Sequence, residues 1–97
     1  MTTFFISRHP GASEWAASQG LTIDQPLEHL DANLVSRGDV VIGTLPVHLV
    51  AEVNARGARY FHLTLDLPPE LRGKELSAAE LTAAGAKLEE YSAERKS

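Results

Sequence analysis

The stretch Thr2-Thr3-Phe4-Phe5-Ile6-Ser7-Arg8-His9-Pro10-Gly11-Ala12 decides how this chain is read. Its first half is an unbroken run of aromatic and β-branched residues, the pattern of a strand covered on both faces, so residues 2–7 are expected to form a buried strand. Pro10-Gly11 interrupts the run. Ala12, Trp15, Ala16 and Gln19 then fall near one face of a short helix that Gly20 ends, with Ser13 a candidate cap. A serine, an arginine and a histidine in a row therefore stand where a strand hands over to a helix. That is where α/β proteins hold anions, because a helix N-terminus presents unpaired N–H groups and the positive end of its dipole.

The same alternation continues along the chain. Leu21 and Ile23 alternate as in a strand, but Pro26 interrupts the segment, so one short edge strand is expected within residues 21–30. Residues 31–37 read as a helical turn closed by Gly38, and Asp39-Val40-Val41-Ile42-Gly43 as a second buried strand. Thr44 or Leu45 lies near the cap of the next helix, and Pro46 suits its first turn. Val47, Leu49, Val50 and Val53 form that helix's apolar stripe, and Gly57 ends it. Residues 59–65 are a third strand, and Pro68-Pro69 breaks the chain. Ser77-Ala78-Ala79-Glu80 is a capping box that opens a last helix, with Leu81, Ala84, Leu88 and Tyr91 on one face. Glu89, Glu90 and Glu94 among Lys87, Arg95 and Lys96 then read as that helix's solvated face and frayed end. Strands alternating with helices imply right-handed crossovers, so the expected fold is a single α/β domain over residues 1–97 with a mostly parallel sheet.

A chain of 97 residues has room for one modest core, so a sizeable ligand site calls for a second copy. The formal charge of −4 argues against a broad face for duplex nucleic acid, which relies on many Lys and Arg contacts to phosphates. A small anion in a focused pocket is compatible with it, and Arg8 is the one Arg or Lys before Arg37. Without cysteine there are no disulfides and no thiolate ligands or nucleophiles. No basic and apolar leader opens the sequence and no run approaches the roughly 18 apolar residues that span a bilayer, which makes a cytoplasmic location and no membrane contact the default expectation.

In open α/β sheets ligands bind at the carboxyl ends of strands, which singles out the turns Ser7-Arg8-His9-Pro10-Gly11 and Gly43-Thr44-Leu45-Pro46. Arg8 is always charged and can fork onto a phosphate, while His9 can donate a hydrogen bond or exchange a proton near neutral pH, and Ser7 adds a hydroxyl. Gly43 and Thr44 can offer N–H groups to an anion. The plain alternative is that Ser7 and Ser13 cap a helix, Arg8 and His9 face solvent, and the second turn simply starts a helix. His62 lies in a strand as either a hydrogen-bonded structural residue or a functional one. His48 is exposed by helical phase, His29 falls in the least regular segment, and Trp15 reads as core rather than as a base-stacking ring. No His-x-x-x-His spacing and no paired carboxylates suggest a metal, and no cofactor is expected.

Two resemblances bear on function. The run from Phe4 to Trp15 is similar to the opening of the histidine phosphatase family, in which a strand ends in Arg-His-Gly. Here Pro10 stands in the glycine's place and the chain is short for that fold. The second resemblance spans nearly the whole chain, through FFISRHPGASEWA (4–16), HLD (29–31), GDVVIGTLPV (38–47), AEVNARGARYFHLTLDLP (51–68) and ELRGKELSAAEL (70–81). These blocks, in this order, resemble a small family of CRISPR-associated proteins of the Csx group, encoded beside type III systems. The resemblance implies a compact Rossmann-like (CARF-like) three-layer domain that forms a homodimer. It also implies ring nuclease activity, the cleavage of cyclic tetra-adenylate to linear di-adenylate that switches off the antiviral response.

On that reading the ribose 2′-hydroxyl attacks the adjacent phosphodiester without a metal. Arg8 is expected to hold the phosphate and transition-state charge, His9 to act as general acid/base or to hydrogen-bond the leaving oxygen, and Ser7 to orient. Gly11, Gly43 and Thr44 are expected to hold phosphate or ribose through backbone N–H groups. A rival reading is a sensor or sponge that sequesters the cyclic messenger without cutting it, and a third is a structural partner of a larger effector complex.

Overall fold

The structure, a computed structural model, describes residues 1–8, 11–66, 69–71 and 76–96. Five strands, β1 (Thr3–Ile6), β2 (Gln25–Leu27), β3 (Val40–Gly43), β4 (Arg59–Thr64) and β5 (Lys87–Tyr91), form one sheet in the order β2-β1-β3-β4-β5. The first four are parallel, and β5 runs antiparallel along β4. The expected α/β domain with a mostly parallel sheet is therefore present. The expected edge strand is β2, which carries Pro26 where a missing N–H does least harm.

Three helices, α1 (Ala12–Ser18), α2 (Val47–Ala55) and α3 (Ala78–Ala83), cover the two faces. Period-2 alternation divides the sheet's apolar residues between them. Phe4, Ile6, Val41 and Tyr60 pack with Val50 and Val53 of α2, while Phe5, Ile42 and Leu63 pack with Ala12, Trp15 and Ala16 of α1 and Leu81 of α3. Trp15 is a core residue, as its phase suggested. The α2 stripe is narrower than its sequence implies, because Val47, at the first turn, is 73% exposed.

The start of α1 depends on close packing rather than on a side-chain cap. Ser13 does not cap it; it lies exposed inside the helix, and Gly11 occupies the cap position. The Gly11 N–H donates to the Leu76 carbonyl at 3.0 Å, and a Cβ on Gly11 would run into the Ser77–Ala78 backbone. The capping box of α3 is formed as expected: Glu80 N–H donates to Ser77 Oγ at 3.2 Å, and Ser77 N–H to Glu80 Oε1 at 3.1 Å. Residues 31–37 contain only a short 3₁₀ turn, Ala32–Leu34, because the Asp31 carboxylate takes the Asn33 N–H and Val35 is already extended. Pro69 opens a second such turn, Pro69–Leu71, and Pro68 lies outside the described residues.

The last helix does not continue to Tyr91. It ends at Ala83, Gly85 turns the chain at φ +74°, and Lys87–Tyr91 pairs with β4. Lys-Leu-Glu-Glu has good helical propensity, but without a partner β4 would be an open sheet edge, and pairing there outweighs a local preference of a few tenths of a kcal/mol per residue. Leu88 thereby reaches the core, while Glu90 takes a two-pronged contact from Arg59, both bonds 2.8 Å.

Candidate functional site

The strand order places β2 on one side of β1 and β3 on the other. The connections that leave β1 and β3 carry α1 and α2 to opposite faces, so a crevice opens between the carboxyl ends of β1 and β3. A cleft of about 540 Å³ lies there, and Ser7, Arg8, Glu28, His29, Thr44 and Pro46 supply its rim. The loops after β1, β2 and β3 each contribute. Ile6, Leu30, Leu45 and Leu49 form the apolar floor.

Of the residues picked out from the sequence, Ser7, Arg8 and Thr44 are brought together. Ser7 is half-buried and its N–H donates to the Leu27 carbonyl at 2.9 Å, so it prolongs the β1–β2 ladder by one step and launches Arg8 beyond the sheet. Arg8 is exposed and has no ion-pair partner among the described residues, which leaves its guanidinium available to an anion. Gly43 is buried just behind Thr44. A Cβ there would sit 2.7 Å from the Ile6 carbonyl oxygen, so glycine is what lets the two strand ends close up under the cleft. Gly11 lies outside the cleft, with its N–H committed to Leu76. His9 lies outside the described residues.

Glu28 and His29 belong to the cleft although no motif marked them. The usable signal was position: they follow directly on β2, but a three-residue edge strand containing proline is hard to bound from sequence. Glu28 and Arg8 therefore bring opposite charges to the lining of the same cleft.

The Gly43-Leu45 turn is held from below by Tyr60, which is 1% exposed. Its hydroxyl donates to the Gly43 carbonyl at 2.9 Å, accepts the Leu45 N–H at 2.9 Å, and lies 2.7 Å from His62 Nδ1. Burial pushes the Tyr60 phenol above its ordinary range, so it stays protonated and serves as a fixed polar anchor. His62 is thus hydrogen-bonded in the structure, and its ring also meets Tyr91 edge-on at 5.8 Å.

A larger cleft of about 650 Å³ lies between α2 and the segment after β5. Alanines and exposed polar residues line it, and the Asn54 side chain closes it by accepting the Ala93 N–H at 2.7 Å. Its charged side chains, Glu52, Glu94 and Arg95, are spent in part on one another, with Arg95 4.0 Å from Glu52. Among the described residues no three His, Cys, Asp or Glu side chains gather as metal ligands, and no helix is long and apolar enough to cross a membrane.

Neither the curated proteins nor the solved structures gave a significant match to the chain. Residues 4–94 match the family described as "Putative CRISPR-associated protein (Cas_VVA1548)", a span that takes in every described strand and helix except Thr3 at the start of β1. The chain belongs to this CRISPR-associated family.

Proposed function

We propose that the protein is a metal-independent ring nuclease that opens cyclic tetra-adenylate and so ends the signal of a type III CRISPR response. The observation that carries this reading is the cleft at the β1/β3 switch point, where Arg8, Ser7 and Thr44 converge on a volume suited to a phosphodiester. In the reaction the ribose O2′ forms a bond to phosphorus while the P–O5′ bond breaks. The 2′-hydroxyl gives up its proton, and the departing 5′ oxygen takes one. Two such events yield linear di-adenylate with 2′,3′-cyclic phosphate ends.

The nucleophile belongs to the substrate, so the protein's work is in-line positioning and stabilisation of charge on the phosphorane. Arg8 supplies that charge, Thr44 holds the non-bridging oxygens or ribose, and Ser7 orients. His9, next to Arg8 in the chain, handles the proton. A four-membered ring with two-fold symmetry fits a CARF-like homodimer in which the two clefts face each other.

The test is direct. Pure protein is incubated with cyclic tri-, tetra- and hexa-adenylate, with and without EDTA, and products are separated by chromatography. Linear di-adenylate formed from the tetramer in EDTA supports the reading. Binding without any product, under excess protein, makes the protein a sequestering module. Activity lost in EDTA and restored by magnesium or manganese overturns the proposed mechanism.

A further inference from the structure

Beside the cleft, and sharing Leu45 with it, lies a second cavity of about 280 Å³ walled by Val47, Val50, Tyr60, His62 and Tyr91. Its size falls just under the roughly 300–1,000 Å³ of sites that take drug-sized ligands, which suits a single planar ring system better than a whole nucleotide. Two of its members are unusual for a surface. Val47 is 73% exposed and Tyr91 51% exposed, an aliphatic and an aromatic side chain left uncovered around one hollow.

The hydrogen bonds of Tyr60 fix the chemistry of His62. The phenol has one hydrogen and two lone pairs. The Gly43 carbonyl can only accept, so it takes the hydroxyl hydrogen, and the Leu45 N–H can only donate, so it occupies one lone pair. The contact with His62 at 2.7 Å is then satisfied only if Nδ1 carries a hydrogen and donates to the remaining lone pair. In the neutral ring this leaves Nε2 as an acceptor. Nε2 has no hydrogen-bond partner among the described residues. The cavity thus combines an oriented acceptor, an exposed phenol ring and an aliphatic wall.

We propose that this cavity is a purine-base subsite specific for adenine, in which Tyr91 stacks on the base and His62 Nε2 accepts from the exocyclic 6-amino group. This deepens the ring nuclease reading and rests on it for the identity of the full ligand. Ile6, Gly43 and His62 lie level on three adjacent strands, so the base site is two strand spacings, roughly 10 Å, from the end of β1. A nucleotide whose phosphate sits at Arg8 can reach across Leu45 to place its base there. Aromatic stacking provides affinity with little regard to which base is bound, and the fixed acceptor provides the discrimination.

The subsite is tested first on the wild-type protein with monomeric probes. The imidazole C–H proton signals are assigned with His62→Phe, and adenosine 5′-monophosphate and purine riboside 5′-monophosphate, which lacks the 6-amino group, are titrated in. The His62 signal is expected to shift saturably with the adenine nucleotide and to need at least fivefold more of the purine nucleotide. An unmoved His62 signal, or equal titration by the two nucleotides, overturns the proposal. In the second arm, Tyr91→Ala is expected to weaken binding of cyclic tetra-adenylate about tenfold or more, with Tyr91→Trp restoring most of it. Unchanged binding by Tyr91→Ala also overturns the subsite, while leaving ring cleavage at the main cleft intact. Wild-type protein that ignores cyclic tetra-adenylate but discriminates the two nucleotides at His62 removes the ring nuclease reading and keeps the adenine subsite.

Discussion

Tyr60 and Gly43 are joined by a buried hydrogen bond of 2.9 Å that ties the second residue of β4 to the last residue of β3, directly beneath the turn that rims the cleft. Tyr60→Phe keeps the ring and its packing but leaves the Leu45 N–H and the His62 Nδ1–H without their acceptor. Unpaired buried donors cost about 1–3 kcal/mol, so the urea midpoint should fall accordingly and the melting temperature by at least several degrees. Ligand affinity at the cleft should fall too, since the turn that carries Thr44 loses its anchor. A variant with unchanged stability would show that the hydroxyl is solvated rather than bonded.

Asp39 makes folding acid-sensitive. Its carboxylate, 6% exposed, accepts the Ser36 N–H and the Thr2 N–H, each at 2.9 Å, and these bonds hold its pKa below the ordinary aspartate value. Because the folded value lies below the unfolded one of about 3.9, the stabilisation is fully present above the unfolded value and is lost as pH falls through the folded one. Asp39→Asn should cost about 1–3 kcal/mol at neutral pH. The gap from wild type should narrow below about pH 4. Urea unfolding at a series of pH values reads both, and a gap that stays constant down to pH 2 would refute the assignment.

Gly11→Ala should destabilise severely although alanine is the better helix former. The added Cβ meets the backbone of Ser77 and Ala78, which cannot swing aside as a side chain would. Overpacking of this kind costs about 1–3 kcal/mol, against a gain of about 1 kcal/mol at most from propensity. Circular dichroism melts of the variant and of the exposed control Ser13→Ala separate this from a general tolerance of substitution in α1.

Arg8→Ala should lower the single-turnover rate on cyclic tetra-adenylate about a hundredfold or more and weaken binding as well, the size of effect that follows removal of one preorganised donor. Arg8→Lys should recover only part, because a point charge does not reproduce a planar fork. His9→Ala should slow the step by a comparable factor with little change in affinity, and the wild-type pH profile should contain an inflection that the variant lacks. Wild-type rates in both variants would move the chemistry away from the end of β1.

Light scattering at micromolar concentration should read the mass of two chains, since one domain of this size leaves the four-membered ring only half enclosed. Moderate salt should weaken ligand binding through screening of the few positive charges that reach it. A monomer with and without ligand would count against a shared cleft.

Much of this was legible in the sequence because it depends on neighbours along the chain. The continuous apolar run of residues 2–6, the valine-rich run ending at Gly43 and the box Ser77-Ala78-Ala79-Glu80 each specify their element through period, propensity or a cap made within four residues. The alternation of such elements implied a parallel sheet, and with it the rule that a site lies at strand ends. That reasoning named Ser7, Arg8 and Thr44, which the fold does bring to one cleft.

What only the tertiary structure decided involves partners far apart in sequence. Lys87–Tyr91 is a strand because β4 needs an edge partner, a demand the local residues do not encode. Gly11 is a docking point because α3 arrives against it from residues 77–78. Glu28 and His29 join the cleft because β2 pairs with β1 rather than with β3. His62 acquires a defined hydrogen-bonding face only through Tyr60, and Tyr60 does so only because β3 and β4 are in register at Gly43. Local sequence specifies elements through short-range sterics and hydrogen bonds, whereas a site is made where long-range pairing brings the ends of those elements together.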